Sequence, residues 1–114
     1  MQLNEGLETL GRLAFYGSAI ESIRLPSTLK KLEAEMFSGC TDLRSINIPS
    51  GVEHIEENCF KNSGIEEITL PGTIKEINEY AFWLCRSLRT VWVEEGCALD
   101  VRKYVGQNVE VHSK

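Results

Sequence analysis

Apolar residues recur along this chain in a pattern that repeats every 22 or 23 residues. Each repeat contains aliphatic residues at near-alternating positions, as in residues 43–48, then a second aliphatic pair three residues apart, and then a phenylalanine. Since a repeat of this length is one structural unit, it decides the fold before local propensities are considered. The repeated phenylalanines and the matching strand aliphatics are Phe15, Phe37, Phe60 and Phe82, and Ile23, Ile46, Ile68 and Val91.

The first part of each unit predicts a short, half-buried strand. A proline follows and ends ladder pairing, at Pro26, Pro49 and Pro71. The second aliphatic pair has a spacing that suits one helical or 3-10 turn on the side of the unit opposite the strand. The phenylalanine that follows is expected to fill the core between the two sides, as a plug. One unit cannot bury enough apolar surface to fold alone, so we expect the units to stack into a right-handed solenoid. Its parallel sheet lies on one face, and loops and short helical turns lie on the other.

The pattern predicts one domain over residues 1–114, with repeats over about 3–97 and a C-terminal cap over about 98–114. Residues 3–10 match the second half of a unit, which predicts an exposed edge or a segment of a longer array. Near the other end, Asp100 stands where an aliphatic residue is expected. The residues after it predict a helical turn followed by a short terminal strand.

The unit resembles the BspA-like leucine-rich repeats of the Treponema pallidum type. Residues 43–65 and 65–88 match that family's pattern, L-x-x-I-x-[IL]-P-x-x-[LVI]-x-x-I-(G)-x-x-A-F-x-x-C-x-x-L, nearly throughout. Only Gly11 keeps the glycine after the second aliphatic, and the loops after Phe15 and Phe60 lack the cysteine. The resemblance implies an α/β leucine-rich-repeat solenoid and a non-enzymatic binding or adhesion module, often on bacterial or protist cell surfaces. It transfers no ligand and no catalytic residue.

Composition excludes several classes of protein. The net charge of −5 argues against nucleic acid as a partner, where a basic surface is expected. The apolar runs fall far short of the roughly 20 residues needed to cross a bilayer, so no membrane insertion is expected. The first residues lack the features of a signal peptide. A cell-surface or secreted location is therefore suggested by the resemblance alone.

Four cysteines raise the question of disulfides or metal. Cys40 and Cys85 occupy the same position two units apart, and stacking at roughly 4.8 Å per unit separates them by about 10 Å. A disulfide needs Cα atoms within about 7 Å. Because Cys59 and Cys97 also replace small or aliphatic core residues, we predict reduced, buried thiols. No metal site, cofactor site or catalytic constellation is recognisable, so the sequence predicts a protein that is not an enzyme.

The predicted strands present polar residues on their outward side, because side chains alternate along a strand. Solenoids use such a face for binding, and an exposed tryptophan is typical of interface hot spots. Trp92 either belongs to this exposed face or packs under the C-terminal cap. The predicted central column is Arg24, Asn47, Thr69 and Trp92, flanked by Ser22, Ser45, Glu67 and Thr90.

A second apolar feature follows Phe82, where Trp83 and Leu84 replace small or polar residues of the other units. They form an exposed contact patch, or Tyr104 and Val105 of the tail cover them; we favour cap packing here. The partner predicted for the strand face is a protein, of a host or an extracellular matrix, or a glycan. The alternative is a structural or self-assembling segment, a spacer or an edge-to-edge oligomer, because exposed strand edges pair readily.

Overall fold

The computed structural model describes residue 11 and residues 14–113. Each period of the sequence forms one turn of a parallel-strand solenoid, as predicted, and the only helix in the described residues is a 3-10 helix at Val101–Tyr104. The strands are β1 Lys31–Leu32, β2 Ser45–Asn47, β3 His54–Ile55, β4 Glu67–Leu70, β5 Glu76–Ile77, β6 Thr90–Val93 and β7 Glu110–Ser113.

The strands form two parallel sheets. The predicted strand positions give a four-stranded sheet of order β2-β4-β6-β7, and a second sheet of order β1-β3-β5 runs along another face. The second member of each later aliphatic pair (Leu32, Ile55 and Ile77) thus lies in a narrow sheet and not in the helical turn that the spacing predicts. The reason is bonding between units, since the Glu53 N–H donates to the Lys30 carbonyl at 2.9 Å and the Lys75 N–H to the Glu53 carbonyl at 2.8 Å.

The segment before each phenylalanine forms single turns that do not continue as a helix. The Met36 N–H donates to the Glu33 carbonyl at 3.3 Å, which closes one turn within the unit. The next N–H, of Phe37, instead donates to the Cys59 carbonyl of the following unit at 2.8 Å. Because alternate N–H groups bond between units, the ladder that a helix needs is interrupted.

Stacked phenylalanines form the centre of the core. Successive rings of Phe15, Phe37, Phe60 and Phe82 lie 5.4, 5.3 and 5.5 Å apart, centroid to centroid, and are nearly parallel. Phe37 and Phe60 are fully buried. Such offset ring pairs contribute about 0.5–1.5 kcal/mol each beyond their buried area. The plug predicted from the sequence is therefore one continuous column that ties the units together.

The last unit departs from the others. After the 3-10 helix, strand β7 pairs in parallel with β6 and places Val111 opposite Val91. Val101 and Val109 are buried and close the end of the core. The predicted half-unit at residues 3–10 lies outside the described residues.

All four cysteines are unpaired. Cys40 and Cys59 are buried, whereas Cys85 and Cys97 are partly exposed. The thiol of Cys40 donates to the Phe15 carbonyl at 3.0 Å, and that of Cys85 donates to the Phe60 carbonyl at 2.8 Å. These thiols therefore act as hydrogen-bond donors between neighbouring units, in addition to filling space.

Candidate binding surfaces

The four-stranded sheet presents the predicted central column on its outer side. The register places Asn47 opposite Thr69, and Thr69 opposite Trp92. Arg24 precedes this ladder by one unit and is exposed, as is Asn47. Thr69 is only 8% exposed, because it lies between its two neighbours in the column. It therefore offers less contact area than its position in the alternation predicts.

The flanking column is also assembled as predicted. Ser45 pairs with Glu67, and Glu67 with Thr90. Ser22, Ser45 and Glu67 are exposed, and Thr90 is partly buried. A shallow depression at the start of the sheet is lined by Ser22, Arg24, Ser45 and Asn47, among others. The two columns thus form a polar surface with a recess near its first unit.

Trp92 combines both interpretations made from the sequence. It remains in the outer column, but its ring packs beside that of His112 from the terminal strand, with centroids 5.1 Å apart. Its indole N–H donates to the carboxylate of Glu67. The side chain is partly buried. Contacts from two directions therefore hold this aromatic ring in one orientation on the strand face.

The terminal strand was predicted, but its position in the main sheet was not: it pairs with β6 and adds a fifth row to the strand face. His112 lies opposite Trp92 and Glu110 opposite Thr90. The two side chains contact each other, with 2.9 Å between His112 Nε2 and Glu110 Oε1. The signal was present in the sequence, because Val109-x-Val111 repeats the alternation of the earlier strands with polar residues between and after.

The Trp83–Leu84 patch is exposed, and the favoured interpretation of cap packing was wrong. Trp83 is 51% and Leu84 37% exposed, whereas Tyr104 and Val105 pack against the core. The two cap residues are therefore engaged with the core and leave the patch uncovered. Trp83 instead contacts the ring of Tyr80, with centroids 5.6 Å apart, and the Lys61 ammonium lies 5.0 Å from its ring centre.

Leu84 occupies a left-handed backbone position. The same position of the earlier units is also left-handed, with φ of +65° at Gly17, +74° at Gly39 and +58° at Asn62. Glycine and asparagine adopt this conformation readily, but a leucine at φ +62° is strained. The fold therefore imposes a left-handed residue here even where the side chain is unsuited to it.

The three-stranded sheet carries charges of both signs. Lys31 lies 3.6 Å from Glu33, Lys75 lies 3.5 Å from Glu53, and His54 lies 3.4 Å from Glu76. These groups are largely solvated, and such pairs contribute little. Nowhere in the described part of the chain do three His, Cys, Asp or Glu residues come together as a metal site would require.

A solenoid of parallel ladders, with one aliphatic strand motif and one phenylalanine plug in each unit of 22 or 23 residues, defines the class of leucine-rich-repeat proteins. A family model, "BspA type leucine rich repeat region", matches residues 1–98 in six copies. The chain belongs to this family, which is the one its repeat resembles.

Two solved structures are similar. A leucine-rich cell surface protein from Faecalibacterium prausnitzii is 28% identical with a TM-score of 0.72, over 82% of this chain and 24% of that one. The T. pallidum leucine-rich repeat protein shares the fold, with a TM-score of 0.54 and 22% sequence identity. The match covers 98% of this chain and 72% of the T. pallidum chain. The chain thus spans about a quarter of the length of the first.

No protein with a curated description matches the chain. Within residues 11 and 14–113, no helix is long and apolar enough to cross a membrane.

Proposed function

We propose that this chain is a non-enzymatic binding module that recognises a protein partner through the strand face, the outer side of the sheet formed by β2, β4, β6 and β7. Its membership of a repeat family supports binding in general. The observation that carries the proposal is the fixed orientation of Trp92 between Glu67 and His112. A large aromatic side chain that is already ordered loses little entropy when a partner covers it.

The polar groups around Trp92 complete the proposed surface. Arg24 and Asn47 are exposed and can donate and accept hydrogen bonds at one end of the face. Glu67 and Glu110 place carboxylates along one side. An aromatic side chain surrounded by polar groups is a common composition at protein interfaces. Adhesion at a cell surface is the setting we propose, because the F. prausnitzii protein is described as a cell surface protein.

The test compares partners captured by immobilised variants from extracts of the source organism and from matrix preparations. Trp92→Ser and Arg24→Ala are expected to weaken capture of the same protein, for Trp92 by about 30-fold, which corresponds to a hot-spot residue of about 2 kcal/mol. Glu76→Gln is the matched control, because this exposed residue lies on the three-stranded sheet. It should leave capture unchanged.

Equal capture by all four proteins would refute the strand-face assignment. A parallel glycan array, probed with the same variants, separates the two partner classes. Glycan binding that is lost in Trp92→Ser would keep the face and replace the protein partner by a sugar.

The alternative function, a structural or self-assembling segment, was based on an open edge at residues 3–10. Those residues lie outside the described part of the chain, so no contact or exposed edge in the structure favours it at that end.

A further inference from the structure

The strand face carries two carboxylates toward its C-terminal end. Glu67 and Glu110 lie in the flanking column on either side of Thr90, and both are exposed. Within residues 11 and 14–113, neither carboxylate forms an ion pair with a lysine or an arginine. This end of the face is therefore negatively charged.

The two carboxylates border a notch whose floor is a smaller residue. Neighbouring strands of a sheet lie about 4.8 Å apart, so the backbones that carry Glu67 and Glu110 are separated by about 10 Å. Thr90 lies between them, is partly buried, and has a shorter side chain than either neighbour. Trp92 forms a further side, because its indole N–H reaches the Glu67 carboxylate. We call this feature the Thr90 notch.

Each carboxylate keeps one oxygen available for a partner. Oε2 of Glu67 accepts from Trp92, and Oε1 of Glu110 lies 2.9 Å from Nε2 of His112. The other oxygens, Oε1 of Glu67 and Oε2 of Glu110, have no hydrogen-bond partner in the described part of the chain. An aromatic ring beside two such carboxylates favours a cationic side chain, which gains from ion pairing and from the negative face of the ring.

The other end of the strand face has the opposite charge. Arg24 is exposed and forms no ion pair with a carboxylate of the described residues. It lines the shallow recess at the start of the sheet together with Ser45 and Asn47, among others. Since guanidinium, hydroxyl and amide groups all donate hydrogen bonds, the recess suits a carboxylate of a partner.

The distance between the two ends sets the spacing of the groups that fit them. Arg24 and Trp92 are three units apart in the same column, which corresponds to about 14 Å. An extended peptide advances about 3.3 Å per residue, so residues i and i+4 span about 13 Å. Because side chains alternate, these two residues also point to the same side. One extended segment along the stack of units thus reaches both ends.

We propose that the strand face binds an extended protein segment with one acidic and one basic side chain about four residues apart. The basic side chain, an arginine or a lysine, enters the Thr90 notch, and the acidic side chain binds at Arg24. This inference rests on the proposed function and adds the chemistry of the partner to it. A uniformly acidic or uniformly basic segment is disfavoured, because it meets one end of like charge.

Selection from a library of random peptides of roughly nine residues, displayed on phage, tests the charge pattern. The wild type should enrich peptides in which a basic and an acidic residue are four positions apart. The double variant Glu67→Gln/Glu110→Gln should lose the preference for the basic residue and keep that for the acidic one. Arg24→Gln should do the reverse. Glu76→Gln, on the three-stranded sheet, is the matched control and should select as the wild type does.

The affinity of one enriched peptide tests the contact in the Thr90 notch. Glu67→Gln keeps an acceptor for the Trp92 N–H, so it removes charge without releasing the ring. It should weaken binding about fivefold, as is typical of a partly solvated ion pair. Once the basic residue of the peptide is replaced by norleucine, the same variant should have no effect. Raising NaCl from about 0.1 M to about 1 M should also weaken the wild-type complex.

The outcomes separate this inference from the proposed function. Enriched peptides without the pair of charges, variants that select the same peptides as the wild type, or a library without enrichment would each overturn the inference. If uncharged peptides are selected and are lost on Trp92→Ser, the strand face remains the binding surface and the charge pattern is wrong. Peptides that bind Trp92→Ser and Arg24→Gln as tightly as the wild type would overturn both. Melting curves check that the variants fold.

Discussion

Two turns of this solenoid, residues 60–62 and residues 82–84, occupy the same repeat position with different surroundings. Both place their third residue in the left-handed conformation, at Asn62 and at Leu84. The inner turn has a neighbouring unit on each side, and the ring of Phe60 is fully buried between two others. The end turn has a neighbour on one side and an exposed, apolar surface on the other.

The difference separates two kinds of constraint. The stacking of units fixes the backbone conformation, since four successive turns share it whatever the residue. The neighbours decide which side chain is suitable. Asn62 is polar and exposed, and asparagine tolerates the left-handed conformation. Leu84 is apolar but exposed, and leucine is strained in that conformation. A residue that is unfavourable on both counts points to a requirement outside the folding of this chain.

The largest effect is expected from truncating the phenylalanines of the two turns. Phe60→Ala should reduce the free energy of unfolding by about 3–5 kcal/mol, because it leaves a cavity in the middle of the column. Phe82→Ala should cost about 1 kcal/mol less, since Phe82 stacks on one phenylalanine and not two. Urea unfolding followed by circular dichroism measures both. Equal losses, or a larger loss for Phe82, would contradict the difference between the turns.

A smaller effect is expected at alkaline pH from the thiol that links the two turns. Burial raises the pKa of Cys85 from 9.0 to about 11, and hydrogen bonding with Ser63 offsets part of this rise. The folded state therefore favours the neutral thiol. Its contribution is complete below pH 9 and is lost as the pH rises from 9 to 11, by about 3 kcal/mol at most.

Cys85→Ala isolates this effect from that of Cys40 and Cys59, whose pKa values are also raised by burial. The urea midpoint should be measured at roughly pH 8, 9, 10 and 11, which covers the pH range between the ordinary and the raised pKa of Cys85. As the pH rises, the midpoint of the variant should decrease less than that of the wild type. Parallel curves would show that the Cys85 thiol does not titrate differently in the two states.

The smallest effect comes from exchanging the residues at the left-handed position. Leu84→Asn should increase the free energy of unfolding by about 1 kcal/mol, because asparagine tolerates the conformation. Asn62→Leu should decrease it by about the same amount. Thermal melts of the two variants compare the positions directly. If both variants shift in the same direction, side-chain contacts outweigh the backbone preference.

The repeat made most of the fold predictable. The positions of Ile46, Ile68 and Val91 located the main sheet, and the phenylalanine spacing located the core column. The second sheet was missed, because pairs such as Leu29 and Leu32 have a spacing that a helical turn shares. Hydrogen bonds between units decide that choice, and a single unit does not reveal them.

The surfaces were predictable in part. The strand face followed from alternation, but the covering of Trp92 and Trp83 depended on where the cap lies, and the cap does not repeat. The amino-acid sequence also contains a signal for the unusual turn. Gly17, Gly39 and Asn62 at equivalent positions indicate a left-handed residue, and a leucine at the fourth such position, Leu84, breaks that pattern.

The two thiol bonds also describe how an array of this kind can change its length. The thiol of Cys40 donates to the Phe15 carbonyl, and the thiol of Cys85 donates to the Phe60 carbonyl. In both cases the accepting phenylalanine belongs to the preceding unit, whose loop is one residue shorter and has no cysteine. Units therefore occur as couples, and the distance from Phe15 to Phe60 is 45 residues. Duplicating or deleting one such couple preserves every bond of this type, whereas a gene rearrangement that moves a single unit breaks the alternation. In the described residues, the pattern of thiol bonds therefore repeats every two units.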